Sequence, residues 1–258
     1  VVAKALAQQF ANAIEAETHP FQFALRTRAG TGALAFALRT ATDDDPNTVI
    51  LSLDGIGAYD HVKRSAMLGK LYRTPKLQGL LPFTRLFYGG PSTYVWTDDS
   101  GVPHPVHQGE GGEQGDPLMP ALYALGQHDG LKEGANQLHT DDFVVAFLDD
   151  LYVKTTRDRA RAAFDTVAGA VERHAGVQTS MGKLRIWSRA GGPPPPGFTA
   201  ERFAGCWTAD QPAHLNGVKI LGTPLGTPEF VVTHARTRLA EETKLLEHLP
   251  HLPDLQCA

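Results

Sequence analysis

Aspartates in this sequence come largely in adjacent groups, and the surroundings of each group decide what it can do. They lie at 43–45, 98–99, 141–142 and 149–150, with a spaced pair at Asp54 and Asp60. An Asp-Asp pair in a polar stretch is ordinarily a solvated turn or a helix cap, because the short carboxylate bonds nearby backbone amides. That reading fits 43–45, 98–99 and 141–142. It does not fit Asp149-Asp150, which stand between the apolar runs FVVAFL and LYVKT, or Asp54, which closes TVILSL. A carboxylate beside a core is costly unless it is paired or bound to metal. With the two runs as neighbouring strands, three carboxylates converge at one sheet edge. A donor set of carboxylates without His or Cys selects a hard divalent cation, Mg²⁺ or Mn²⁺, over Zn²⁺. Two such ions about 3.5–4 Å apart activate an attacking hydroxyl and stabilise the leaving oxygen of an in-line phosphoryl transfer. The residue types therefore point to metal-assisted phosphoryl chemistry and leave the substrate open. One zinc-type spacing, His104-x-x-His107, has no cysteine near it to complete a site.

The elements that must hold these carboxylates can be read from periodicity and punctuation. TVILSL, residues 48–53, is β-branched and apolar, as a strand covered on both faces is. FVVAFL and LYVKT predict a hairpin with a two-residue Asp149-Asp150 tip. Further strands are expected at 183–187 and in VKILGTPLG, 218–226, and a hairpin in TYVWT–VPHPVHQ around the Asp98-Asp99-Ser100-Gly101 tip. Helical periods mark 2–17, 30–40, 62–73, 157–176 and 228–249. Gly176 is the expected C-terminal stop of the fourth. Asp116-Pro117 is the expected start of a well-buried helix, since Asp caps and Pro suits the first turn. GGPPPPG, 191–197, reads as a stiff linker. The order predicts an α+β fold with an antiparallel hairpin at the sheet centre.

Composition sets the outer bounds. The chain has 258 residues, 42% hydrophobic and 20% charged, enough for a sizeable core in one large domain or two small ones. No run of about 18 apolar residues marks a membrane span, and the opening residues read as an amphipathic helix, not a signal peptide. Lacking an initiator Met, the chain is expected to be a piece of a longer polypeptide. Cys206 and Cys257 stand far apart, as suits a reducing compartment without a disulfide framework. A formal net charge of −4 argues against a free-standing nucleic-acid binder. Bound metals would offset the carboxylates, and flanking segments would supply basic surface.

Six segments, in one order, resemble the motifs of reverse transcriptases, most closely those of non-LTR (LINE-type) retrotransposons. They are FALRTRAGTGAL at 23–34, LSLDGIGAYD at 51–60, EQGDPLMPALY at 113–123, FLDD at 147–150, GKLRIW at 182–187 and ILGTPLG at 220–226. The resemblance implies a polymerase palm, an antiparallel sheet with helices packed on one face, plus partial helical fingers. It divides the chain into fingers at 1–45, palm at 46–227 and the helical start of a thumb or connection at 228–258. The implied activity is RNA-directed DNA synthesis with two Mg²⁺ ions (Mn²⁺ an alternative). The implied partners are an RNA template, a DNA primer and dNTPs, with no membrane, further domains on the parent chain, and a nuclear or ribonucleoprotein setting.

Carried over position by position, Asp54, Asp149 and Asp150 are the metal ligands and Tyr59 takes the steric-gate position that favours dNTP over rNTP. Gln114 and Gly115 face the incoming nucleotide and template, and Arg26 and Arg28 meet triphosphate or template. Lys183 approaches the leaving pyrophosphate, and Leu221 and Gly222 grip the primer end. Without the resemblance, Lys183 is a solvated lysine, Arg26 and Arg28 are surface arginines, and Leu221-Gly222 is a plain turn. The sequence departs from the family at Ser180-Met181-Gly182 and Leu184 around Lys183, and at Glu113, where many members carry a basic residue. These departures keep a second reading open, a non-catalytic relic serving as a nucleic-acid or protein interaction module. A palm polymerase that makes RNA is disfavoured by Tyr59, because such enzymes need room for the 2′-OH.

Overall fold

The structure, a computed structural model, describes residues 1–248. Cys257 and the last residues of the expected thumb segment lie outside the described residues. Helices α1 (Val2–Gln9), α2 (Ala11–Thr18) and α3 (Gly30–Asp44) open the chain and lead into β1 (Thr48–Leu53). Short α4 (Ala58–His61), α5 (Arg64–Arg73) and α6 (Leu81–Tyr88) precede a ribbon of β2 (Ser92–Thr97) and β3 (Pro103–Gln108). The long α7 (Met119–Gln137) runs to the hairpin β4 (Phe143–Phe147) and β5 (Asp150–Thr156), followed by α8 (Ala160–Ala175) and β6 (Arg185–Ser188). A hairpin of β7 (Gly217–Ile220) and β8 (Thr223–Gly226) leads to α9 (Pro228–Leu246). The fold is α+β, as the element order predicts.

The main sheet has the order β4-β5-β1-β6, antiparallel throughout. Its centre is therefore β5–β1. The hairpin β4–β5, expected there, puts β4 on the outside. Register sorts the side chains by face, because strand residues alternate. Val49, Leu51 and Leu53 share one face with Val144, Ala146, Leu151, Val153 and Ile186, and all are buried. Helices α7 and α8 cross-pack on each other and on the strands, supplying Leu122, Leu125, Val167 and Val171 to the same core. Close approach of the pair depends on Gly130, where a Cβ would stand 3.0 Å from Ala170 O. The opposite face carries Ser52, Val145, Phe147, Asp150 and Tyr152, most of them only half-buried. One face is thus closed by α7 and α8, and the other is covered over Ile50, Tyr152 and Trp187 but only half-covered around Ser52, Phe147 and Asp150.

Two boundaries differ from expectation for local reasons. The pair Phe147↔Asp150 closes the β4–β5 hairpin, so its tip is Leu148-Asp149 and Asp150 is the first strand residue. Helix α7 begins at Met119 with Pro120 in its first turn. Asp116 instead bends the chain ahead of the helix, its Oδ1 accepting the Leu118 N–H at 2.9 Å. Gly176 does end α8 in the left-handed region, at φ 76°. Among the described residues no helix is long and apolar enough to cross a membrane.

Candidate active site

Asp54 follows β1 at the end of the sheet where the β4–β5 turn also lies. Leu53 pairs with Leu151, so Asp54 and the Asp149-Asp150 turn face each other across adjoining strands. Asp54 and Asp149 share a narrow crevice with Tyr123 and Gln127 of α7. Asp150 begins β5 on the half-covered face, beside Tyr152 in the alternation. Burial first, then the charges of Asp149 and Asp54, pushes the Asp150 carboxyl up to about 6, against the opposing pull of Lys183. Burial likewise raises Asp149, with Asp54 adding to it, while a backbone hydrogen bond and Lys183 act in the other direction. The shifts record carboxylates crowded near each other in a partly dry place.

Lys183 reaches this edge because its loop is laced to the strand end by main-chain bonds. Ser180 N–H donates to Asp54 O at 2.8 Å and Ile56 N–H to Gln178 O at 2.8 Å. The Lys183 ammonium then lies 3.0 Å from Asp54 Oδ1, and that bond raises its pKa. Its side chain is exposed, so the pair is screened and weak.

Tyr59 sits on the first turn after β1, half-buried and stacked on Tyr123 of α7, with ring centroids 4.9 Å apart at 13°. Burial, with the nearby charge of Asp149, pushes its phenol up to about 12, so the ring stays neutral. Tyr59, Gln114, Gly115 and Asp149 line one cleft of about 530 Å³, walled further by Asp116, Pro117, Met119 and Pro120. The sequence places these groups in three distant segments, and the fold brings them together.

The loop that carries Gln114 is held against the Tyr59 segment. Gly111 N–H donates to Val62 O at 2.8 Å and Gly112 N–H to Tyr59 O at 2.9 Å. Gly111 adopts φ +72°, and a Cβ there would stand 2.3 Å from Asp60 O, so only glycine fits. Buried Arg64 locks the same loop, donating from Nε to Gly111 O at 2.8 Å, from Nη1 to Gly90 O at 2.5 Å and from Nη2 to Ser92 Oγ at 2.9 Å.

The expected primer-grip pair, Leu221 and Gly222, forms the tip of β7–β8 between the paired Ile220 and Thr223. Both have positive φ, 49° and 83°, the backbone a tight two-residue hairpin turn needs. Leu221 N–H donates to the Tyr152 hydroxyl at 3.2 Å, which ties the turn to the sheet face that bears Asp150. Arg26 and Arg28 are exposed and are not among the residues lining the cleft. His104 and His107 fall on opposite faces of the β2–β3 ribbon, His104 against Trp96 and Asp98, His107 against Thr93, which removes the zinc pair.

Among the described residues no three Asp, Glu, His or Cys side chains are gathered tightly enough to hold an ion as they stand. The donor set still fits a hard cation: three carboxylates on one edge, two with raised pKa, and an exposed lysine ammonium as counter-charge. Three positioning groups had no place in the sequence reading of the site: Tyr123, Tyr152 and Arg64. Tyr123 belongs to an apolar helix face and Tyr152 to an apolar strand, where nothing but register marks them out. Arg64 stands in an ordinary amphipathic stretch.

No family model matches the sequence, and no curated protein matches it. Solved structures match the fold. Telomerase from Candida albicans, in complex with a TWJ fragment of telomeric RNA, aligns with TM-score 0.58 at 12% identity, over 88% of this chain and 38% of that one. The fold is telomerase-like. Apo telomerase from Candida tropicalis, truncated from its C-terminal domain, gives TM-score 0.56 at 10% identity, over 88% of this chain and 44% of that one. Candida tropicalis telomerase in complex with the TWJ fragment gives 0.50 at 11%, over 71% and 33%. The chain thus spans less than half of each telomerase chain. The antiparallel sheet with its packed helices is the palm-like part of that fold.

Proposed function

We propose that this chain is the palm and partial fingers of an RNA-directed DNA polymerase that adds dNTPs to a primer 3′-OH. The observation that carries the reading is the single cleft that joins Tyr59, Gln114, Gly115 and Asp149, with Asp149 also lining the adjoining crevice that holds Asp54. The telomerase-like fold supports it, and the wording of 51–60 and 113–118 favours a non-LTR retroelement source. The domain division then follows the elements, with fingers through α3, palm from β1 to β8 and α9 opening the thumb. A nuclear or ribonucleoprotein setting goes with this reading.

Asp54, Asp149 and Asp150 would hold Mg²⁺, which when bound lowers the pKa of the primer hydroxyl and neutralises charge on the phosphates. The chain's own groups supply the rest. Asp54, after β1, and Asp149, in the β4–β5 turn, would orient the reacting ends from the two sides of one sheet edge. Tyr59, held flat by Tyr123, occupies the space a ribose 2′-OH would need. Gln114 and Gly115 present a polar, low-bulk wall to the incoming base pair. Lys183, once released from Asp54, neutralises or protonates the departing pyrophosphate. Leu221 and Gly222, tied through Tyr152, set the primer end.

The test is primer extension on a poly(rA)–oligo(dT) duplex with dTTP and Mg²⁺. Extension is expected for the chain and a loss of at least about 10³-fold for Asp149→Ala, the scale of removing a charge-stabilising group from a catalytic site. Equal extension by the variant would remove Asp149 from the chemistry. Metal-independent RNA binding without turnover, in the parent polypeptide as in this chain, would establish the relic reading instead.

A further inference from the structure

The turn that presents Asp149 and Asp150 is held by a residue far away in the chain. Leu148, the first residue of the tip, adopts φ +56°, a region that a branched aliphatic side chain visits rarely. The two-residue turn leaves its N–H outside the β4–β5 ladder, and a half-buried amide needs an acceptor. That acceptor is Gln22 Oε1, at 2.7 Å.

Gln22 is itself fixed on both sides by backbone. Ala146 N–H donates to Phe21 O at 2.8 Å and Phe23 N–H to Ala146 O at 2.8 Å. These bonds form a parallel bridge that lays 21–23 along the outside of β4. The Phe21 ring packs against His128 of α7, centroids 5.7 Å apart, which anchors the segment to the helical layer. Gln22 is buried at 7% exposure, and its Oε1 also faces Ala24 N–H at 3.4 Å. The orientation of the amide follows from this geometry: the opposite flip would set an NH₂ against the Leu148 N–H. The Nε2 end finds no hydrogen-bond partner among the described residues.

We infer that Gln22 is a positioning residue for the catalytic turn, pinning Leu148 in its left-handed conformation so that Asp149 and Asp150 face Asp54. The inference deepens the polymerase reading and rests on it for its kinetic part only. The pin itself is a statement about backbone order, and it can be measured without activity.

Two readouts on three variants test it. Gln22→Met keeps length and apolar packing and removes the acceptor. Leu148→Gly makes φ +56° intrinsically accessible, and the double variant combines the two. Amide hydrogen exchange is followed by mass spectrometry in the peptide 143–152 and, as an internal control, in α8. Extension of oligo(dT) on poly(rA) with dTTP and Mg²⁺ gives kcat and KM. Gln22→Met is expected to speed exchange at the tip and leave α8 unchanged. It should lower kcat about 10- to 100-fold, the cost of a small misplacement of catalytic groups, with little change in KM for dTTP because Tyr59 and Gln114 stay in place. Leu148→Gly in the Gln22→Met background should recover most of the loss. Unchanged exchange at the tip overturns the inference, and so does a kcat loss that Leu148→Gly leaves untouched, which would assign Gln22 to general packing. If exchange responds as expected while neither the chain nor a longer form carrying its flanking segments extends primers with Mg²⁺, the pin stands and the polymerase reading falls.

Discussion

At the scale of single residues the site is a crowd of carboxylates that one exposed lysine, Lys183, only partly offsets. Asp150 is held near pKa 6, above the ordinary carboxylate value of about 4, by burial and by Asp149 and Asp54. The folded chain therefore binds this proton more tightly than the unfolded chain, and stability falls as pH rises from about 4 to about 6. Above that window the ionised group is a standing cost. Asp150→Asn should raise Tm at pH 7.5 by about 2 °C, solvent screening keeping it small, and change nothing at pH 4. Scanning calorimetry at the two pH values checks this; an equal shift at both would mean that the effect is packing and not charge. The three carboxylates were legible in the sequence because each ends an apolar run, where an acid has no structural excuse. Gln22 and Tyr152 were not, since a polar atom's partner across the sheet is fixed by register, which no local pattern records. Arg26 and Arg28 were named by motif likeness alone, and they are exposed and do not line the cleft.

Elements are joined by polar staples whose importance the sequence conceals. The pair Asp141-Asp142 reads as a solvated loop, and Asp141 is exposed, yet the Asp142 carboxylate is 1% exposed. It accepts Arg159 Nη2 at 2.7 Å and Nε at 3.0 Å, and Thr155 Oγ1 at 2.9 Å. One carboxylate thus joins the start of β4, the end of β5 and the residue before α8. Arg159 keeps access to water, so Asp142→Ala loses three hydrogen bonds without stranding a buried charge and should cost about 1–2 kcal/mol. Urea unfolding measures it, and a loss under about 0.5 kcal/mol would place the pair with ordinary surface bridges. Strands, helices and their order were legible because apolar runs and helical periods are local. The exact hairpin tip was not, because the apolar runs on either side of Asp149-Asp150 do not by themselves mark which residue pairs close the turn.

For the whole molecule, α7 is the shaft on which the layers are mounted, and it carries a buried histidine. Burial first, then Lys70, pushes His128 down to about 4, while Asp129 and Glu17 pull the other way. The unfolded chain takes up this proton near pH 6.5 and the folded chain resists until about 4. Stability is fully present above about 6.5 and falls as pH drops through that window, by at most about 1.4 kcal/mol per pH unit from this group. His128→Leu should flatten the fall between pH 7 and pH 5 in urea titrations, and an unchanged slope would assign the acid sensitivity to other groups. The overall fold was recognisable from six short segments in order, while the layout of the cleft depended on contacts between segments tens of residues apart.

The joints of the site are peptide groups. Ser180 to Asp54, Ile56 to Gln178, Gly112 to Tyr59, Gly111 to Val62 and Phe23 to Ala146 are all amide-to-carbonyl bonds. A joint of that kind depends on the main chain and, apart from Gly111 where a Cβ has no room, tolerates exchange of the side chain. Elsewhere, the change that such joints cannot absorb is loss of the donor itself. Across distant descendants of this chain, proline should be the residue missing from positions 23, 56, 111, 112, 146 and 180, however much else has drifted.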